Sequence, residues 1–208
     1  MRSMFVMTIK FMLVFLLAIN YTGGEVHARH HAKITNKVKK LVNGNSNAAS
    51  KVKRFVINSL LEQMINPVFV KAVKAQNSRG ISMAAINKID EEWKAAEDFL
   101  EIHDKMMTGK CADEVRRLAG KYKAIGETFV MDNQGANVCQ NELTGDYWQG
   151  DEAKWKNSFA RGAGGLDIGV EKLDTSTNIV LQQISLPIID EKGKVIGAIC
   201  FGIKTNKL

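Results

Sequence analysis

The chain has 208 residues, of which 45% are hydrophobic and 25% charged, with a formal net charge of +7. That balance suits one globular domain with a buried core and excludes a disordered or fibrous chain. The charge is unevenly placed: residues 29–61 hold eight Lys or Arg and no Asp or Glu, whereas residues 62–208 hold 19 basic against 21 acidic side chains. Basicity therefore belongs to an N-terminal arm, and a nucleic-acid-binding role for the domain is not expected.

At the start, Arg2 and Lys10 precede the apolar run Phe11 to Ile19, and Val26-His27-Ala28 follows as a small-residue site. This is the pattern of a secretory signal peptide over residues 1–28. The apolar run is too short to cross hydrocarbon, which takes roughly 20 residues. A periplasmic or secreted location follows, with residues 29–45 expected as a basic flexible arm and residues 46–208 as a single domain. In such an oxidising compartment Cys111, Cys139 and Cys200 allow at most one disulfide. Cys139 and Cys200 lie in strand-like apolar contexts, so the expectation is small buried hydrophobes rather than a bridge.

Val52, Phe55, Val56, Leu60 and Met64 recur at three and four and predict one face of an amphipathic helix. Pro67 suits the first turn of a renewed helix running to about Asn77. Ile86, Ile89, Trp93, Ala96 and Leu100 mark a second helix, and Ala112 to Tyr122 a third. Near Glu127 the period changes. Thr128 to Asp132 and Ala136 to Gln140 read as strands around a tight Asn133-Gln134-Gly135 turn. A short helix follows, with Asp151 and Glu152 expected in its first turn and a Glu152 to Lys156 pair supporting it. Arg161 to Gly165 ends it. Three more strands, Asp167 to Leu173, Ile179 to Ile189 and Val195 to Ile203, are joined by polar turns.

The last three strands have no crossover helices and must be antiparallel neighbours. The fold class is thus α+β, a five-stranded antiparallel sheet with a helical layer on one face. Along Ile179 to Ile189, Ile184, Leu186 and Ile188 make one face apolar, while Gln183 and Ser185 interrupt the other. Such a mixed face suits either solvent or a polar ligand cavity.

No GxSxG, HExxH or GxxxxGK[ST] motif is present, and no CxxC or Cys/His metal spacing. His30 and His31 sit in the arm and His103 on a helix. Asp132 and Asp151 as an acid/base pair lack any neighbour that would tune them. Asp132, Asn133, Asn137, Asp146 and Asp151 offer hard oxygens without calcium-loop spacing, and Asp-Asn-Gln-Gly is an ordinary turn. Catalysis, a cofactor and a metal are not expected.

Five segments, Asn66 to Asn77, Ile86 to Trp93, Phe129 to Val138, Thr144 to Trp155 and Ser185 to Ile203, resemble in order the extracytoplasmic PAS-like sensor domains of the PDC or Cache superfamily, specifically short exported bacterial proteins of the single-Cache type. The resemblance implies a long N-terminal helix along a PAS-like sheet, with a pocket between the sheet and the loop-helix after the hairpin. It implies as ligand a small metabolite such as a carboxylate or amino acid. It places Tyr147, Trp148, Gln149, Asp151 and Trp155 on the lid, Asp174 and Ser176 at the next turn, and Gln183 and Ser185 on the strand beneath. Tyr147 and Trp148, just before the lid helix, are the leading ligand contacts. Lys154 and Arg161 are candidates to balance a carboxylate. In membrane sensors of the superfamily the last strand runs on into a transmembrane helix and an output module. Here five residues follow Ile203, so signalling is expected to pass through a membrane-bound partner. An interaction protein with a filled pocket, acting through the basic arm, is the alternative.

Overall fold

Strand alternation over Ile179–Ile189 organises the structure, a computed structural model that describes residues 27–174 and 179–208. The expected signal peptide falls almost entirely outside the described residues, as does Ser176. The central hairpin pairs β5 (Ile179–Ile189) with β6 (Val195–Lys204), from Leu181 opposite Lys204 to Ile189 opposite Val195. β1 (Ile125–Met131) pairs antiparallel with β6, and β2 (Asn137–Gln140) with β1. On the other side of β5 lie β3 (Asp167–Ile168) and β4 (Lys172–Asp174). The order β2-β1-β6-β5-β3 gives the antiparallel, PAS-like α+β architecture. The strand expected over Asp167 to Leu173 is broken at Gly169 to Glu171, so six strands occupy five positions in the sheet.

One sheet face is dry. Ile184, Leu186 and Ile188 of β5 and Ile199, Phe201 and Ile203 of β6 are fully buried against the helical layer. That layer contains α2 (Ser50–Phe55), which widens into a π turn over Val56–Leu60 and tightens into a 3-10 turn over Leu61–Ile65. Its buried stripe is Val52, Val56, Leu60 and Met64, all at 0% exposure. A strict four-residue stripe drifts by about 40° per step on an ideal helix, and the wider turn counters that drift. Each buried side chain contributes roughly 2 kcal/mol. Asn66 then caps α3 (Pro67–Ser78), accepting from the Val68 amide at 3.0 Å, with Pro67 in the first turn where its missing N–H costs nothing. The stripe predicted to run to Leu100 ends earlier, at α4 (Met83–Ala95), and α5 (Glu101–Met107) is a separate helix. α6 (Gly109–Lys121) packs on β1 and β2.

Two expectations are corrected here. The basic arm is no flexible leader: helix α1 occupies 27–44, and Ile34, Val38 and Val42 on its inner face are buried. Lys37 Nζ donates to the Gly164 carbonyl at 2.6 Å, and His31 meets the Asp190 carbonyl at 2.5 Å. Lysines on its outer face had masked a four-residue apolar repeat. The second correction is a disulfide between Cys111 on α6 and Cys139 on β2, with Cα atoms 5.9 Å apart. Cys139 is indeed buried, but α6 brings Cys111 onto it, which no local pattern announces. Closing a loop of 28 residues' separation contributes about 3–4 kcal/mol in the chain-entropy account. Cys200 is the free, buried thiol, pushed up to about 12 by burial.

Candidate functional site

The second face of the sheet, the one interrupted by Gln183 and Ser185, is covered by α7 (Ala153–Phe159). Trp155 and Phe159 stack with centroids 5.0 Å apart, and Trp155 packs on Phe129, Met131, Ala198 and Cys200. Its indole N–H donates to the Asp132 carbonyl at 3.0 Å. This anchors one side of α7 on the sheet. The helix begins later than predicted: Glu152 is the N-cap, and its carboxylate pairs with Lys154 at 3.1 Å rather than with Lys156.

Beside this anchor the sheet and α7 part to leave a cleft of about 580 Å³ toward β3 and β4. A second compartment of about 320 Å³ continues beneath the lid loop. Glu127, Glu152, Lys154 and Gln183 line both. The floor depends on Gly202. A Cβ there would lie 2.3 Å from Glu127 Cγ, so only glycine leaves space for the Glu127 side chain to lie across β6. Glu127 then accepts a hydrogen bond from Gln183 Nε2 at 2.8 Å, joining β1 to β5 over the central strand. Lys154 enters from above, its side chain 12% exposed, with its ammonium 5.3 Å from the Phe129 ring centroid. Asp167 lines the outer compartment and Asp146 the inner one. Burial, and then the nearby Glu152 charge, push Asp146 above the usual carboxylate range.

Of the residues placed in the site by sequence, Gln149 and Gln183 line the cleft. Tyr147 and Trp148 do not. Tyr147 is 2% exposed and packs 5.9 Å from Trp93, its hydroxyl pushed up to about 12 by burial. The Trp148 indole N–H donates to the Gln134 carbonyl at 2.8 Å, over the close approach of Gly135 and Gly150. Both amides are held by one carboxylate oxygen of Asp90, at 2.9 Å each. The two rings are thus staples that fix the lid to the hairpin and α4. Trp155 is a packing residue, as its spacing to Phe159 suggested. Ser185 is fully buried under α7, opposite Cys200 on β6. Asp151 and Arg161 are exposed. Asp174 ends β4, whose Lys172 and Leu173 line the outer compartment. Asp132 caps its own turn, accepting from the Gln134 and Ala136 amides at 2.8 and 3.0 Å.

Glu127, Glu152, Asp167 and Gly202 were missed. A signal existed for Glu127: it is the only charged residue of β1 and shares a strand face with Phe129 and Met131. Its pairing with Gly202 across strands is a tertiary fact.

No family model matches the chain, and no curated protein matches it. Solved structures do. The sensor domain of the V. cholerae histidine kinase DctB is 15% identical with a TM-score of 0.45, covering 86% of this chain and 58% of that one. The ligand-binding domain of the Campylobacter jejuni chemoreceptor Tlp3, in complex with 4-methylisoleucine, is 11% identical with a TM-score of 0.37, covering 85% and 61%. The ligand-binding domain of the Pseudomonas aeruginosa amino-acid chemoreceptor PctC, in complex with GABA, is 13% identical with a TM-score of 0.37, covering 69% and 59%. All three are sensor or ligand-binding domains. This chain spans less than two thirds of the length of each. Among the described residues, no helix is long and apolar enough to cross a membrane.

Proposed function

We propose that the chain is an extracytoplasmic sensor-type domain that binds a small metabolite in the cleft between its sheet and α7, without turning it over. The observation that carries this reading is the cleft itself. Its volume of about 580 Å³ lies within the roughly 300–1,000 Å³ of small-molecule sites. Its floor is a charged residue given room by a glycine in the central strand. A half-buried carboxylate on a sheet face carries a desolvation cost that packing does not return, and binding is what the arrangement permits. The lid loop is tied to α4 through Asp90, so closure on a ligand has a route to the helical surface and from there to a membrane-bound partner.

The test is a metabolite screen by thermal shift on the wild type and on Gly169→Phe. Gly169 lines the outer compartment, and a Cβ there meets only the Gln183 carbonyl oxygen, at 3.7 Å. The Cβ is therefore accommodated without a backbone shift, and a ring carried on it would obstruct the compartment. At least one metabolite class should raise the wild-type Tm and leave the variant unmoved. Equal shifts in both proteins would place binding elsewhere.

A further inference from the structure

The charges around the cleft are not balanced. Lys154 is spoken for: its ammonium is held by Glu152 at 3.1 Å and lies over the Phe129 ring. Three other carboxylates face the same space, and each is hydrogen-bonded by a neutral amide instead of a cation. Glu127 is held by Gln183, and Asp167 by Asn157 at 2.7 Å. Asp146 is held by Gln149. Among the described residues none of the three has an ion-pair partner, and no group of three His, Cys, Asp or Glu converges to hold a metal ion. Lys172 stands exposed at the mouth.

A second observation points the same way. Gln149 is 1% exposed and lines the inner compartment, and its Oε1 has no donor. The amide cannot be turned round to cure this, because its Nε2 already donates to the Asp146 carbonyl at 3.1 Å and to the Asp146 carboxylate. A buried acceptor without a donor costs about 1–3 kcal/mol, and a hydrogen-bond donor on a ligand in the adjoining compartment would satisfy it. The walls between the acidic groups are apolar: Leu181, Val170 and Leu173 outside, Phe129 inside.

Resting on the reading of this cleft as the binding site, we propose that its ligand is a cationic aliphatic amine, best matched by a diamine. One ammonium meets Asp146 and Gln149 Oε1 in the inner compartment, the other meets Asp167 in the outer one, and Glu127 lies on the floor common to both. A carboxylate ligand would instead add negative charge to a cleft that already has an excess of it.

The test is calorimetric titration of the full chain with 1,4-diaminobutane, n-butylamine and succinate at low salt and at 0.15 M salt. The diamine should bind more tightly than the monoamine and succinate should give no heat. Salt should weaken the amines. Glu127→Gln keeps the Gln183 hydrogen bond and should lower diamine affinity at least tenfold, as should Asp146→Asn, with far-UV circular dichroism unchanged in both. Succinate binding that Gly169→Phe abolishes, with the diamine silent, would overturn the amine assignment and leave the cleft as the site. Diamine binding indifferent to Gly169→Phe and Glu127→Gln would overturn the placement of the amine in this cleft. No heat from any of the three compounds would overturn the amine class, and the metabolite screen then decides the cleft separately.

Discussion

Asp146 is a carboxylate in an unfavourable place. Burial and the adjacent Glu152 hold it above the usual carboxylate range in the folded protein, so its ionised form is better tolerated in the unfolded chain. The sign follows from linkage. Below the ordinary aspartate pKa both states are protonated and the side chain is neutral in its effect. As pH rises through that value the unfolded state ionises first, and stability falls until the folded carboxyl has ionised too. Asp146→Asn, which keeps an oxygen for the Gln149 amide, should therefore raise the Tm at pH 7 and leave it unchanged near pH 3, as read by thermal melts across that range. A Tm that drops at pH 7 would mean that the carboxylate stabilises the fold. Lys94 and Lys154 act on the carboxylate from a distance and offset only part of this, and a charge kept at a cost to stability belongs to a binding site more naturally than to a scaffold.

Among elements, the join between the lid loop and α4 turns on Asp90. It is 6% exposed, one oxygen accepts both the Tyr147 and Trp148 amides, and the other meets Lys94 at 2.6 Å. Asp90→Ala would leave two backbone donors without partners, at about 2–6 kcal/mol in all. Faster amide exchange should then appear over residues 144–150 while β5 and β6 keep their protection; uniform exchange changes would contradict the placement. This join shows where sequence reading stops. Periodicity fixed the type of nearly every element from Val52 onward, and β5 was read from Ile179 to Ile189 as it stands. It could not tell that Tyr147 and Trp148 face α4 instead of the ligand, because nothing local in Asp146-Tyr147-Trp148-Gln149 records a helix 50 residues upstream. Gln183 was legible as a polar interruption of a strand face, whereas Glu127 needed the glycine opposite it.

For the whole molecule, the sheet separates stability from binding. Its dry face carries α1, α2, α3 and α6 and holds the fold together, and its mixed face carries α7 and the cleft. The packing of α1 belongs to the stabilising face. Val38 is at 0% exposure, so Val38→Asp should lower the Tm sharply, by the several kcal/mol that an unpaired buried charge costs. On a loose basic arm the same change would do nothing. Binding on the mixed face is the central claim, and it is tested most directly by native mass spectrometry of the protein as purified from its own host, wild type beside Gly169→Phe. The account predicts a small molecule retained by the wild type and absent from a variant with the same circular dichroism. The same adduct on both proteins would contradict it.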